Sequence, residues 1–336
     1  SGRRRIESSE AEPQSLSLSA LNALGLTESD ETSSEETGLR PVAEIGVDLH
    51  DQEKVVAVGL AGCSGSSTGS NGSGKDGATV KVGVYGDNNE PWETAADSLK
   101  EKENIDVELV KFSDYVQPNQ ALSDGSVDLN SFQTEIYLDT YNSEHGTDLT
   151  SIGYTIIEPM GLYSHRVSSV GDLADGATVT IPNDVSNGGR ALKLLEKAGL
   201  IAVNPDAGLT PGLDDVTGNP KNLRITQLDA AQTARSLDDA DLAAINADIA
   251  VDAGLTPSTD AIFIEETGEA SRPYYNVIAA RASDVDDETY RTVVRYFQSD
   301  EVARTIADVY KGSQFPVWDG APSASPSATA SQSKAA

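Results

Sequence analysis

Arg190 is the side chain in this sequence best placed to hold an anion. Its guanidinium is a fixed fork of donors that matches a carboxylate or a phosphate. It follows the stretch Ile181-Pro-Asn-Asp-Val-Ser-Asn-Gly-Gly. An apolar, β-prone run over residues 177–181 stops at Pro182, a turn-rich loop follows, and a helix then carries Leu192, Leu195 and Ala198 on one face. Ser186 or Asn187 can cap that helix and Gly199 ends it. A strand, a polar loop and a helix N-terminus present free N–H groups and the positive end of a dipole. The plainer alternative is an ordinary strand-to-helix connection with a surface arginine.

Two asparagines stand at comparable places. Asn246 ends a predicted strand over residues 241–246, and Asn276 lies in a predicted strand over residues 274–281. A buried amide must be satisfied, and these two with Arg190 could converge on an amino-acid zwitterion. Arginine would take the carboxylate, and the asparagine carbonyls would accept from the ammonium. Phe132 and Tyr137 follow the third strand and Tyr85 ends the first, so aromatics could wall in an apolar side chain. The alternative is that the rings are core and the amides cap turns.

Other chemistry is missing. The sequence has no Gly-x-Ser-x-Gly, no His-Glu-x-x-His and no phosphate loop ending Gly-Lys-Ser/Thr. No catalytic residue, metal site or cofactor is expected. The acid pairs Asp214-Asp215, Asp238-Asp239 and Asp286-Asp287 read as charges at helix starts, which the dipole favours. His145 and His165 read as exposed loop residues. Cys63 is the one cysteine, which excludes a disulfide framework. It closes Leu60-Ala-Gly-Cys behind the apolar Val55-Val-Ala-Val, the pattern a lipoprotein signal peptidase requires, and a Gly/Ser linker over residues 64–77 follows it; the alternative is a buried strand with a free cysteine. The basic Arg3-Arg-Arg5 lies about fifty residues before that apolar run, farther than a signal peptide places its charge.

Strands are predicted over 79–85, 105–110, from 127, 151–157, 177–181, 223–228, 241–246, 261–265 and 274–281. Helices are predicted over 92–103 and 118–123, ending near 146, after Pro182, and over 286–297 and 301–310, with short ones at 168–175, 231–237 and before Gly254. The first strand, helix and second strand form a β-α-β unit with parallel strands. The alternation predicts an α/β chain with enough strands for two sheets of four or five each. The 336 residues suit two lobes plus tails, and 38% hydrophobic with 5% aromatic residues leaves part of the chain unpacked. A formal charge of −30 repels duplex nucleic acid and anionic membrane surfaces.

The chain carries, in order, Val107-Glu-Leu-Val-Lys-Phe-Ser-Asp-Tyr-Val-Gln-Pro-Asn-Gln-Ala-Leu122, Val127-Asp-Leu-Asn-Ser-Phe-Gln133, Tyr137-Leu-Asp139, Ile181-Pro-Asn-Asp184, Asn187-Gly-Gly-Arg-Ala-Leu192, Ala198-Gly-Leu-Ile201, Asn219-Pro-Lys-Asn-Leu223, Arg235-Ser-Leu-Asp-Asp239, Pro273-Tyr-Tyr-Asn276 and Gln298-Ser-Asp-Glu-Val302. In these motifs it resembles the methionine-binding lipoproteins of the NlpA family, which feed ABC importers. The resemblance implies a type 2 periplasmic-binding-protein fold, two α/β lobes with a central sheet each, joined by two crossing strands near residues 157–161 and 272–276. It further implies a leader over 1–62, a tether over 63–78 after a lipidated Cys63, one lobe from 79–158 and 274–319, the other from 159–273, and a tail over 320–336. Arg190 would grip the ligand carboxylate, with Asn187 beside it on the same motif. Asn246 and Asn276 would hold the amino-acid backbone, and Tyr115, Phe132 and Tyr137 would surround the side chain. The implied partners are L-methionine or a related amino acid and the permease and ATPase subunits of an ABC importer, with a monomeric protein anchored on the extracytoplasmic face of the membrane. Two positions depart from the pattern: Thr134 stands where many members have His, and the loop over 87–91 is atypical. The alternatives are another amino acid, a methionine-containing dipeptide, or an adhesin or enzyme on the same scaffold.

Overall fold

The computed structural model describes residues 77–321. The readings of Cys63, the leader, the tether and most of the C-terminal tail lie outside the described residues.

The chain opens with the expected β-α-β unit. β1 (Ala78–Tyr85), α1 (Glu90–Glu103) and β2 (Ile105–Phe112) follow one another, and β1 pairs with β2 in parallel from Ala78↔Ile105 to Tyr85↔Phe112. Val80, Val82 and Val84 alternate along β1, so they share one face and are buried together in one core with Trp92 and Leu99. Trp92 on α1 packs on Phe297, ring centroids 4.6 Å apart, and so ties the first helix to one near the C-terminus. α2 (Gln117–Ser123), β3 (Leu129–Thr134), α3 (Glu135–His145) and β4 (Thr150–Ile157) complete this half.

The chain then leaves that sheet through Glu158-Pro159-Met160 and builds a second one. β5 (Gly161–Tyr163), β6 (Thr178–Pro182), α4 (Val185–Lys197), a two-strand ribbon of β7 (Ala202–Val203) and β8 (Val216–Gly218), β9 (Arg224–Leu228), β10 (Leu242–Ile245), α5 (Ala247–Asp252), α6 (Pro257–Asp260) and β11 (Phe263–Ile264) follow. It returns through a 3-10 turn, Glu269–Tyr274, to β12 (Tyr275–Ala280), α7 (Glu288–Phe297), α8 (Asp300–Tyr310) and β13 (Phe315–Pro316). The order β13-β4-β12-β3-β1-β2 gives a six-stranded sheet, and β11-β5-β10-β6-β9 a five-stranded one. The first is larger than expected because β13, only two residues long, adds an edge through Phe315↔Ile157. Each sheet has its own core: Val82, Leu99 and Ile306 in one, Leu162, Ile181 and Leu195 in the other.

Three local readings change. α4 is capped by Asp184, whose carboxylate accepts from Asn187 N at 2.8 Å; Ser186 and Asn187 lie inside the helix. The segments near 168–175 and 231–237 form 3-10 turns, Val170–Asp172, Ala230–Gln232 and Arg235–Asp238. His145 is exposed but is the last residue of α3, stacked on Tyr141 at 4.1 Å.

Candidate functional site

The ends of β3, β6, β10 and β12 and the turn after β4 surround one open cavity, with about 370 Å³ of empty space including the solvent at its mouth. Its wall includes Arg190, Asn187, Asn246, Asn276, Tyr115, Phe132 and Tyr137, the seven residues that the family resemblance assigns to the ligand. The carboxyl ends of β3, β6 and β10, where open α/β sheets place ligands, meet the amino end of the antiparallel β12, which brings Asn276.

Arg190 sits in the first turns of α4 and is only 4% exposed, so it is no surface arginine. The preceding Gly189 lets the chain close over it: a Cβ there would lie 2.6 Å from the Thr210 Cα. Its Nε donates to Glu265 at 3.1 and 3.2 Å, and its Nη2 donates to Glu265 at 2.5 Å and to the Glu158 backbone carbonyl at 2.7 Å. The guanidinium lies over the Tyr274 ring at 4.5 Å, a cation–π arrangement. Burial opposes its charge, but Glu265 outweighs that by charge and hydrogen bonding, and the group is held above its ordinary range. One edge is therefore fixed by Glu265, while Nη1 makes no hydrogen bond to any described residue.

A chain of amides sets the next group. Both Asp184 oxygens accept from Asn187 Nδ2 at 3.1 Å, and Asn187 Oδ1 accepts from Asn246 Nδ2 at 2.9 Å. Each amide has one donor end and one acceptor end, so the order of this relay leaves the Asn246 carbonyl as its free terminus. That oxygen, Oδ1, is buried without a partner. Asn276 donates its Nδ2 to Glu158 at 2.9 Å, and its own carbonyl oxygen is likewise bonded to no described residue.

The opposite wall is aromatic. Tyr115 stands 5.9 Å from Phe132 and 6.2 Å from Tyr137, and Phe132 stands 5.8 Å from Tyr137, centroid to centroid. Tyr85 packs on Tyr115 at 5.0 Å but faces a neighbouring cavity. A buried amide cluster places these rings. Asn119 exchanges hydrogen bonds of 2.7 Å with Gln133, and Asn130 donates to Asn119 at 2.9 Å, so α2 next to Tyr115 is clamped to β3, which carries Phe132. Thr134 lines the cavity and caps α3 by accepting from Tyr137 N at 3.3 Å.

Three acids were missed from the sequence. Glu158 follows β4, Asp248 lies in the first turn of α5, and Glu265 follows β11. Glu158 and Asp248 line this cavity and also the second one, of about 520 Å³, which runs toward Asn89 and Gln314. Tyr115 donates its hydroxyl to both Asp248 oxygens at 2.5 and 2.6 Å, joining the aromatic wall to α5. Asp252 on the same helix accepts from Asn88 Nδ2, in the loop that departs from the family pattern. Gly86 makes room for that contact, since a Cβ there would overlap the Asp252 carboxylate. Burial, then the nearby Asp248 charge, pushes Glu158 up to about 8. Burial likewise pushes Asp248 up to about 6, against the lowering effect of Tyr115.

The model of the family described as NlpA lipoprotein matches residues 80–318. The chain belongs to the NlpA lipoprotein family. A D-methionine-binding lipoprotein MetQ of Escherichia coli K12 is 43% identical over 247 residues, which is 73% of this chain and 90% of that protein. A nutrient-binding protein from Burkholderia cenocepacia, solved bound to methionine, superposes with a TM-score of 0.68 at 42% identity, covering 71% of this chain and 100% of that one. The substrate-binding protein of a methionine transporter from Streptococcus pneumoniae gives a TM-score of 0.68 at 34% identity, over 71% and 96%. These neighbours are two-lobed substrate-binding proteins, and this NlpA chain shares their α/β fold. Among the described residues, no helix is long and apolar enough to cross a membrane, and no group of three or more His, Cys, Asp or Glu side chains could hold a metal ion.

Proposed function

We propose that this protein is an extracytoplasmic, lipid-anchored solute-binding protein that holds methionine, or a close amino-acid analogue, between its lobes and delivers it to an ABC permease. One observation carries the reading: a single cavity gathers an unbonded guanidinium edge, two unbonded amide carbonyls and three aromatic rings. In this reading the Arg190 Nη1 edge takes the ligand carboxylate, and the Asn246 and Asn276 carbonyls accept from its ammonium. Tyr115, Phe132 and Tyr137 enclose its side chain. Asn187 acts one step behind, by orienting Asn246. The names of the relatives support methionine as the ligand and an importer as the setting. Anchoring through Cys63, the ATPase partner and a monomeric state belong to the same proposal.

The shared walls of the two cavities favour one second reading, a methionine-containing dipeptide whose extra residue enters the second cavity. Calorimetric titration with L-methionine, D-methionine, the other amino acids and short methionine peptides tests both. The expected result is saturable binding of methionine and none of the acidic or basic amino acids. If no amino acid or methionine peptide binds, the proposal fails.

A further inference from the structure

The charges around the cavity do not balance. Arg190 is the cation in its wall, and Glu265 already neutralises it at 2.5 Å. Glu158 and Asp248 remain, and each has only neutral partners. Glu158 accepts from the Asn276 and Gln314 amides at 2.9 and 2.7 Å. Asp248 accepts from the Tyr115 hydroxyl and from the backbone N–H of Ile249 at 2.8 Å. Asn276, which is 8% exposed and lines the same cavity, keeps an unbonded carbonyl, and the buried Asn246 carbonyl stands two residues before Asp248. Four acceptors thus share one wall and lack a charged donor, and two carboxylates confined together resist full ionisation.

Other groups act on the pair. Tyr85 and Tyr115 face Asp248 from the first lobe, and Asp252 faces it from its own helix. Arg190, Tyr115 and Tyr310 face Glu158. Two of these weigh on the sign: Asp252 adds a third negative charge, and Arg190 is offset by Glu265.

We propose that Glu158 and Asp248 form the ammonium seat of this site and share a proton, which the ligand ammonium displaces to solvent on binding. The inference rests on the reading that the cavity receives an amino acid. In the step, the O–H bond of the protonated carboxyl breaks, its electron pair stays on the carboxylate, the proton leaves to buffer, and the ligand N–H groups donate in its place. The upward displacement of both acids agrees with one proton residing on the pair near neutral pH.

The test is titration of the intact wild-type protein with methionine, both enantiomers, near pH 7 in phosphate and in Tris, whose heats of ionisation differ. The expected difference in binding heat corresponds to release of about one proton per ligand. The release should fall at least twofold in Glu158→Gln and in Asp248→Asn, with folding checked by melting. The desamino analogue 4-(methylthio)butanoate should bind at least tenfold more weakly and release no proton. Methionine binding with the same heat in both buffers overturns this inference and leaves the binding function standing. Absence of methionine binding in the wild type overturns the function itself. The wild-type comparison needs no variant, so a variant that fails to fold does not rescue the idea.

Discussion

The two walls of the cleft are finished to different degrees. On the aromatic wall both hydroxyls are already answered: that of Tyr115 by Asp248, that of Tyr137 by the Tyr115 carbonyl at 2.9 Å. What it presents is apolar surface. The facing wall is a set of paired networks that stop one bond short, at Arg190 Nη1, Asn246 Oδ1 and Asn276 Oδ1. Apolar contact scales with area and tolerates changes of guest shape. A polar site built to be completed penalises any guest that leaves it unpaired, so discrimination resides there. In the proposed function the aromatic wall sets how large a side chain fits, and the polar wall sets that the guest is an amino acid.

Arg190→Ala attacks the polar wall at its strongest point and should have the largest effect. It removes the proposed carboxylate contact and leaves Glu265 in a largely buried place without its cation. Affinity for methionine should fall by about 2–5 kcal/mol, as for truncating one partner of a buried charge pair. Calorimetry with melting curves measures both consequences. Unchanged affinity would make Arg190 a purely structural residue of the Glu265 pair and would remove the distinction between the walls. Phe132→Ala should cost less, about 1–2 kcal/mol, because it deletes part of an apolar surface without orphaning a polar group. It should weaken methionine and norleucine alike. A loss larger than that of Arg190→Ala would invert the comparison.

Much of the frame was legible because short-range rules dictate it. The β-α-β start follows from an apolar run, a polar loop and a helix of regular length, and it appears as Val82 paired with Leu109 in parallel. Asn246, Asn276, Phe132 and Tyr137 were legible as polar and aromatic residues in or beside strands, and Arg190 as a cation at a helix start. Tyr115 came only through the family motifs, and Asn187 was marked locally as a helix cap, its place at the ligand coming from those motifs. The acids were not legible, for a physical reason. In a chain with 54 Asp and Glu residues, Asp248 at a helix start looks like any dipole-stabilising charge. Only the pairing of β10 with β6 and the approach of Tyr115 set it in the cavity wall. The two-residue strand Phe315–Pro316 is equally silent, because it exists through the edge it pairs with. The cap of α4 read as Ser186 or Asn187, and Asp184 was missed. Asp184 holds extended backbone at ψ 149, and helical geometry begins at Val185, so the choice falls on it.

The smallest predicted effect separates the walls by pH. Glu158 has an ordinary value of 4.5 and is pushed up to about 8 in the fold, by burial first and by Asp248 second. Between those values the folded chain keeps a proton that the unfolded chain has released. Stability then falls as pH rises through that window, because the unfolded state binds fewer protons. This is the reverse of a salt-bridged carboxylate, which loses stability as pH falls. Glu158→Gln cannot titrate, and the Gln314 amide can turn over to accept from it, so the variant should lack this slope. Melting temperatures measured from about pH 5 to about pH 8 should decline by a few degrees more in the wild type than in Glu158→Gln. Phe132→Ala, on the aromatic wall, should lower the whole curve while keeping the wild-type slope. Parallel curves for wild type and Glu158→Gln would place the proton elsewhere and leave the polar wall with no titrating member at Glu158.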